Sequence, residues 1–187
     1  MKKYILFDND GVLVETEPLY FKASQRALKE YFGLDFHMSE YMDLMTHGGA
    51  VWYKALDLGA SEEEVTQARD KRNQYYQEYI LNEPIVIDDV KETIEHLSQK
   101  YKMAIVTTAR RVDFELIHKE LGIKEYMDFV LFEEDYPKAK PHPDPYLKAL
   151  EIFKANKEEA VVIEDSARGL QSAYNAGIDC ITIYNEF

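Results

Sequence analysis

Cysteine is almost absent from this chain of 187 residues, in which Cys180 is the one example. A single cysteine excludes a disulfide within the chain, and its apolar neighbours predict a small buried strand residue rather than a reactive thiol. The sequence also lacks an apolar run long enough to cross a membrane, a signal peptide and a lipidation motif. We therefore expect a cytoplasmic protein without a membrane partner.

Positive charge is scarce too, since 22 Lys and Arg stand against 35 Asp and Glu and give a net charge of −13. This balance argues against a nucleic-acid partner, because such binding depends on clustered Lys and Arg. An acidic protein that acts on anions needs local compensation from a metal ion or from a few placed cations. The length allows one domain, or a core with an inserted subdomain, and we expect a monomer.

Short apolar runs alternate with helical patterns along most of the chain. The runs predict five buried strands at 4–7, 103–106, 129–132, 160–163 and 181–183. Helices are predicted at 90–97, at 112–121 before Gly122, at 145–153 with Asp144 as N-cap, and at 169–175 before Gly177. Alternation of this kind predicts an α/β fold, a Rossmann-like three-layer α/β/α core with a parallel sheet.

One long segment breaks the alternation. Apolar and aromatic residues between 16 and 82 recur at spacings of three and four, which predicts helices throughout and no strand. Ser61 followed by Glu64 is typical of a capped helix start. We predict a small helical cap subdomain at 16–82, inserted into a core formed by 1–15 and 83–187.

The first apolar run leads directly into Asp8-Asn9-Asp10-Gly11. Carboxylates next to a buried strand are costly unless something positive meets them. Side chains at i and i+2 of a strand point the same way, so Asp8 and Asp10 are expected to face one volume, roughly 6.5–7 Å apart at Cα. Gly11 then permits a sharp exit and a close approach to a ligand. A calcium loop and an ordinary acidic turn are the alternatives, but a calcium loop needs a third oxygen ligand before its glycine.

Three later segments end or follow strands with polar residues. Thr107-Thr108-Ala109 precedes a helix, so its hydroxyls and free N–H groups suit an anion, although a simple N-cap explains them equally well. Lys140 lies among alternate prolines that hold the backbone stiff, with Lys138 as the second choice. Glu164-Asp165 forms a second acidic pair, which either caps a helix or shares a divalent cation such as Mg²⁺ with the first pair.

In motif identity, order and spacing, the sequence resembles the haloacid dehalogenase superfamily over nearly its whole length. The matching residues are Asp8-Asn9-Asp10-Gly11-Val12-Leu13, the strand-end Thr107, Lys140 before Pro141, and Glu164-Asp165 before Ser166-Ala167-Arg168-Gly169. Glu15-Thr16-Glu17-Pro18-Leu19, the helical insertion and the segment 140–146 are similar to the branch of β-phosphoglucomutase and phosphoglycolate phosphatase.

The resemblance implies a role for each matching residue. Asp8 is expected to be the nucleophile that forms an aspartyl-phosphate, and Asp10 the general acid and then the base. Thr107 and Lys140 are expected to hold the phosphoryl oxygens. A Mg²⁺ ion is expected on Asp8, Asp10 (through its backbone carbonyl), Glu164 and Asp165. Residues expected to contact a small phosphorylated metabolite are Gly11, Thr16, His47, Gly48, Thr108 and Ala109.

The sequence departs from the family pattern at Asn9, where an apolar residue is usual, and at Glu15, where Asp is common. Because the sequence ends earlier than is usual in the family, we expect a final sheet-edge element to be missing. We favour a phosphatase for sugar-phosphate-like monoesters. Dehalogenases of the superfamily lack the second aspartate, and a mutase is expected to carry a cationic anchor in the cap loop, whereas 46–51 has no arginine. A mutase and a non-catalytic binding or regulatory protein remain the alternatives.

Overall fold

The computed structural model describes residues 1–47 and 49–183. The chain divides into two compact units, one made of Met1–Glu15 and the chain from Ile85 onward, the other of Thr16–Pro84. Strands and helices are numbered along the whole chain. No helix among the described residues is both long and apolar enough to span a bilayer.

The first unit contains a five-stranded sheet in which every neighbouring pair is parallel, as the alternation predicts. The strands are β1 (Tyr4–Phe7), β2 (Lys102–Val106), β3 (Phe129–Leu131), β4 (Ala160–Glu164) and β5 (Asp179–Thr182). Their order is β3-β2-β1-β4-β5. β1 lies in the middle, with Leu6 opposite Ala104 on one side and Val162 on the other. A central strand of a covered sheet is buried on both faces, which explains its unbroken apolar run.

The second unit is helical, and the structure confirms the absence of strands among its described residues. Its helices are α1 (Glu17–Phe32), α2 (Met38–His47), α3 (Tyr53–Asp57) and α4 (Glu62–Asn82). The predicted start of α4 is present as a capping box, since Ser61 Oγ accepts from the Glu64 N–H and the Glu64 carboxylate accepts from the Ser61 N–H. Pro18 lies in the first turn of α1, where its missing N–H costs no hydrogen bond.

The remaining helices cover the two faces of the sheet. They are α5 (Val90–Ser98), α6 (Arg111–Ile117), α7 (Asp144–Phe153) and α8 (Ala167–Ala176). One apolar cluster joins Leu6 to Tyr146 of α7 and Ala173 of α8, and the other joins Ile5 to Phe114 of α6. Successive residues of a strand point to opposite faces, so the two clusters make the three layers that the sequence predicts.

Most element limits differ from the sequence prediction by one or two residues, and the end of α6 differs by four. α6 ends at Ile117, four residues short of Leu121, and the chain continues in turns before Gly122, whose φ is 66°. Asp144 is the first residue of α7 rather than its cap. The N-cap is Pro143, and the carboxylate of Asp144 instead adds negative charge to the first turn, where the helix dipole favours it.

Candidate active site

The carboxyl ends of three neighbouring strands bring candidate site residues to one edge of the sheet. Asp8 follows β1, and its N–H donates to the Ile163 carbonyl of β4 at 2.9 Å. Glu164 is the last residue of β4, and Thr107 directly follows β2. Because β2, β1 and β4 are adjacent and parallel, all three side chains belong to the edge where ligands bind in such sheets.

Lys140 lies buried between two carboxylates of this edge, with 4% of its surface exposed. Its Nζ is 2.7 Å from Asp8 Oδ1 and 2.6 Å from Glu164 Oε1. Tyr146 of α7 donates its hydroxyl to the same Glu164 oxygen at 3.0 Å. Lys138, the second choice from the sequence, is exposed. A buried ion pair of this kind is costly to break, because loss of the cation leaves buried negative charge behind.

Side chains of α8 hold the segment that carries Lys140. Three donors bond three successive carbonyl oxygens: Arg168 Nη2 to Lys140 at 2.6 Å, Asn175 Nδ2 to Pro141 at 3.0 Å, and Ser172 Oγ to His142 at 2.6 Å. The peptide bond between Lys140 and Pro141 is cis. These three donors were not among the site residues predicted from the sequence. Their spacing of four and three residues puts them on one face of the helix, which is the signal that points to them.

The second carboxylate oxygen of Glu164 is also occupied by the protein. Glu164 Oε2 accepts from the Asp165 N–H at 3.1 Å, the Ser166 N–H at 3.1 Å and Ser166 Oγ at 2.9 Å. Ser166 is the N-cap of α8, and its Oγ accepts from the Gly169 N–H at 3.0 Å. Glu164 therefore joins Lys140 to the start of α8, and its fully buried charge is met on both oxygens.

Gly169 makes room for this carboxylate. A Cβ added at Gly169 would lie 1.6 Å from Glu164 Oε1 and 1.8 Å from Glu164 Cδ, far inside contact distance. The sequence motif contains this glycine, but only the three-dimensional structure shows why a residue without a side chain is needed there. Any side chain at position 169 would displace the carboxylate that pairs with Lys140.

The two buried carboxylates of the site, Asp8 and Glu164, are not equally stabilised by their surroundings. Burial raises the pKa of the Asp8 carboxyl well above its usual value, and the charge of Glu164 adds to the shift. Burial acts in the same direction on Glu164, but Lys140 and the hydrogen bonds from Ser166 outweigh it and lower that pKa. Burial opposes the charge of Lys140, whereas Asp8 and Glu164 raise its pKa well above the usual value. The single positive charge of Lys140 thus lies between two buried carboxylates, and the negative charge of Asp8 is the less stabilised of the two.

The acidic residues of this edge form a group that could hold a metal ion. Ligand atoms of Asp8, Glu164 and Asp165 all lie within 4.8 Å of one another. Three carboxylates are hard oxygen donors, the type that divalent cations such as Mg²⁺ prefer. Asp8 is short of positive charge, and Glu164 already has protein partners on both oxygens. The donor set therefore fits a cation placed between Asp8 and Asp165.

The hydroxyl-bearing segment after β2 has a defined shape. Thr107 is fully buried, its Oγ1 accepts from the Ala109 N–H at 3.0 Å, and its carbonyl accepts from the Tyr136 hydroxyl at 2.7 Å. A hydroxyl that accepts in this way still has a proton to donate, as the predicted contact with an anion requires. Thr108 is exposed beside it.

The turn after β1 is equally tight. Gly11 has a φ of 76° and donates its N–H to the Val14 carbonyl at 2.8 Å. The Asn9 carbonyl accepts from Leu13 at 2.8 Å and from Val14 at 3.2 Å. This geometry turns the chain sharply directly after Asp10, as expected for a glycine in the left-handed region.

Three of the residues predicted to contact substrate belong to the helical unit. Thr16 is buried and precedes α1. His47 is the last residue of α2, where its exposed ring places Nδ1 3.0 Å from Asp43 Oδ1. Gly48 lies outside the described residues. Contact of these residues with a substrate stays a prediction.

Comparison with known proteins gives consistent matches over this chain. The model of the haloacid dehalogenase-like hydrolase family matches residues 5–183. A phosphorylated carbohydrates phosphatase of Thermotoga maritima is 31% identical over 183 residues, which cover 95% of this chain and 82% of the relative. A pyrophosphatase PpaX of Bacillus mycoides is 27% identical, covering 96% of this chain and 82% of the relative. The crystal structure of a predicted phosphoglycolate phosphatase from Haemophilus somnus superposes with a TM-score of 0.85 at 26% identity, covering 97% of this chain and 84% of that one.

Proposed function

The chain belongs to the haloacid dehalogenase-like hydrolase family, in the branch of phosphoglycolate phosphatase and β-phosphoglucomutase, and is therefore a hydrolase; we propose that it hydrolyses small phosphate monoesters with Asp8 as the nucleophile. The observation that carries the proposal is the position of Lys140 Nζ, 2.7 Å from Asp8 Oδ1. A buried lysine touching a carboxylate at the ligand edge of the sheet is suited to offset the repulsion between that carboxylate and a phosphate.

The reaction follows in two steps. An Asp8 carboxylate oxygen attacks phosphorus and forms a P–O bond, the ester P–O bond breaks, and Asp10 gives a proton to the departing oxygen. Asp10 then takes a proton from water, whose oxygen attacks the aspartyl-phosphate and releases inorganic phosphate and free Asp8. The Thr107 hydroxyl and the Lys140 ammonium bind the phosphoryl oxygens throughout. Positioning and charge neutralisation of this kind supply most of the catalysis in phosphoryl transfer.

A bound Mg²⁺ would supply the positive charge that lets Asp8 and a phosphate dianion approach one another. Asp8, Asp165 and the backbone carbonyl of Asp10 would hold it. Glu164 would support the site by orienting Lys140 and the Asp165 N–H, since both of its oxygens already have partners.

The substrate class we propose is a phosphorylated carbohydrate. The support is the similarity to the phosphorylated carbohydrates phosphatase of Thermotoga maritima. The PpaX relatives make pyrophosphate the second compound to test. A screen for phosphate release across sugar phosphates, phosphoglycolate and pyrophosphate ranks these classes directly.

Phosphate release from p-nitrophenyl phosphate with Mg²⁺ tests the proposal. We expect wild-type turnover that EDTA removes and Mg²⁺ restores, and at least a 1,000-fold lower rate for Asp8→Asn, which removes the attacking carboxylate without changing volume. The matched control is Asp144→Asn, at the start of α7 in the same unit, which should retain turnover. Wild-type rates in Asp8→Asn, or rates unaffected by EDTA, would contradict the proposed mechanism.

A further inference from the structure

A buried polar pair lies directly beside the carboxylates of the site and has no part in the proposed reaction. Asn9 stands between Asp8 and Asp10 and is 0% exposed, while His118, just after α6, is 5% exposed. The two side chains meet at 2.7 Å between His118 Nε2 and Asn9 Oδ1, although they are 109 residues apart in the sequence. Polar groups are rarely buried like this without a defined partner and purpose.

The packing around His118 fixes the imidazole ring. The ring stacks on Phe114 of α6 with centroids 4.2 Å apart and an angle of 26° between the planes. Phe114 in turn meets Phe132 edge to face at 5.1 Å. These contacts hold the plane of the ring, and Nε2 faces Asn9. The other ring nitrogen, Nδ1, is buried without a hydrogen-bond partner among the described residues.

The unpartnered Nδ1 indicates which nitrogen carries the proton. Burial lowers the pKa of His118 to about 4, with Lys124 adding to the shift, so the ring is neutral near pH 7 and has a single N–H. A buried N–H without an acceptor costs more than a bare ring nitrogen in an aromatic pocket. The proton therefore belongs on Nε2, which donates to Asn9 Oδ1.

This donor fixes the orientation of the Asn9 amide. With Oδ1 held by His118, Asn9 Nδ2 points at Asp10 Oδ2, 3.3 Å away, and donates to it. The flipped amide would set Oδ1 against the Asp10 carboxylate and Nδ2 against the N–H of His118, which places two acceptors together and two donors together. A continuous path of hydrogen bonds thus runs from His118 through Asn9 to Asp10.

We propose that His118 and Asn9 are positioning residues that hold the Asp10 carboxyl in the orientation from which it delivers a proton to the leaving group. The inference rests on the proposed function, because it requires Asp10 to act as the acid. His118 provides the fixed end, since its ring is held by α6, and Asn9 transmits that orientation to its sequence neighbour. Neither residue touches the reacting atoms.

Leaving-group dependence of kcat/KM separates positioning of an acid from a general structural role. This constant covers transfer to Asp8 and departure of the leaving group, but not the later attack by water. p-Nitrophenolate leaves without a proton, whereas the alkoxide of a sugar phosphate needs one. For His118→Phe, which keeps the stacked ring and removes the donor, we expect kcat/KM for the best sugar phosphate to fall about 10- to 100-fold. For p-nitrophenyl phosphate the expected fall is less than about threefold.

Three further variants complete the test. Asn9→Leu cuts the same path from the other side, so it should show the same selective loss, and Asn9→Leu with His118→Phe should be no worse than either alone. His118→Gln retains an N–H donor near the Nε2 position and should recover part of the sugar-phosphate activity. His96→Gln, on the exposed face of α5, is the control and should leave both substrates unaffected.

The possible results lead to distinct conclusions. Equal losses on both substrates, additive losses in the double variant, or unchanged sugar-phosphate activity in folded Asn9→Leu protein would each overturn the positioning role. If His118→Phe does not fold, Asn9→Leu and His118→Gln decide the question. Failure of the proposed function gives a different result, because wild-type protein would then release no phosphate from either substrate.

Discussion

Replacing Gly169 by Ala is the sharpest test of the geometry around Lys140. In the interior of a helix, alanine is normally more stable than glycine by roughly 0.5–1 kcal/mol. Here the new Cβ would lie 1.6 Å from Glu164 Oε1, 1.8 Å from Cδ and 2.2 Å from Oε2. The carboxylate is held by Lys140 and Tyr146 on one oxygen and by residues 165 and 166 on the other. It cannot retreat without breaking some of these bonds.

The expected cost follows from those contacts. Overpacking of a filled site costs about 1–3 kcal/mol, and one lost hydrogen bond to a charged group costs about 1.5–3 kcal/mol. After the helix-propensity gain of up to about 1 kcal/mol is subtracted, we expect Gly169→Ala to lower the free energy of unfolding by about 1.5–5 kcal/mol. The displaced Glu164 also releases Lys140 from one of its two carboxylates, so phosphatase activity should fall at least tenfold.

Thermal unfolding followed by circular dichroism, with phosphate release on the same samples, measures both effects. At roughly 2–4 °C per kcal/mol for a chain of this size, Tm should drop by about 3–20 °C. Tyr174→Ala, on the exposed side of the same helix, is the control and should change stability by less than about 0.5 kcal/mol.

A double variant tests whether Glu164 is the group that alanine displaces. Glu164→Asp withdraws the carboxylate by one methylene, so Gly169→Ala should cost less in that background than in the wild-type protein. Full stability and full activity in the single Gly169→Ala variant would refute the reasoning, because Glu164 would then not occupy the position that the structure gives it.

The remaining predictions concern charge. Lys140→Ala should destabilise the protein by about 3–5 kcal/mol and weaken phosphate binding, because it leaves Asp8 and Glu164 buried without their cation. Chemical denaturation measures the stability, and inhibition by phosphate measures the binding. Lys138→Ala is the exposed control and should change neither quantity; a larger loss in Lys138→Ala than in Lys140→Ala would show that Lys140 is not the lysine that binds phosphate. Near pH 7 His118 is neutral in the folded protein, where its pKa is about 4, compared with 6.5 in the unfolded chain. Its titration therefore does not change the free energy of unfolding above pH 6.5. Between pH 6.5 and pH 4 only the unfolded chain takes up the proton, so the free energy of unfolding decreases as the pH falls. The full effect is up to about 3 kcal/mol, and the stability difference between wild type and His118→Gln should shift by that amount between pH 7 and pH 4 in urea unfolding; parallel pH curves for the two proteins would contradict it.

Much of the fold was predictable because each local pattern agrees with the global one. The apolar run of β1 indicates a strand buried on both faces, and its place at the centre of the sheet is the reason. The period of 3.6 across α1 and α4 similarly predicts helices without reference to the rest of the chain. Helix limits were less predictable: the apolar pattern extends to Leu121, whereas α6 ends at Ile117.

The sequence by itself determined the alternation of strands and helices, and it also determined that carboxylates, a threonine and a lysine follow strand ends or stiff turns. These are local properties, set by side-chain periodicity and backbone stiffness. Only the tertiary structure decided that Lys140 rather than Lys138 contacts Asp8, and that both oxygens of Glu164 accept hydrogen bonds from the protein. It also decided that there is no room for a side chain at Gly169, and that Asn9 bonds His118. Most of these features depend on a contact between segments that are far apart in the sequence. Such segments come together only when the sheet has formed and the helices have packed on it.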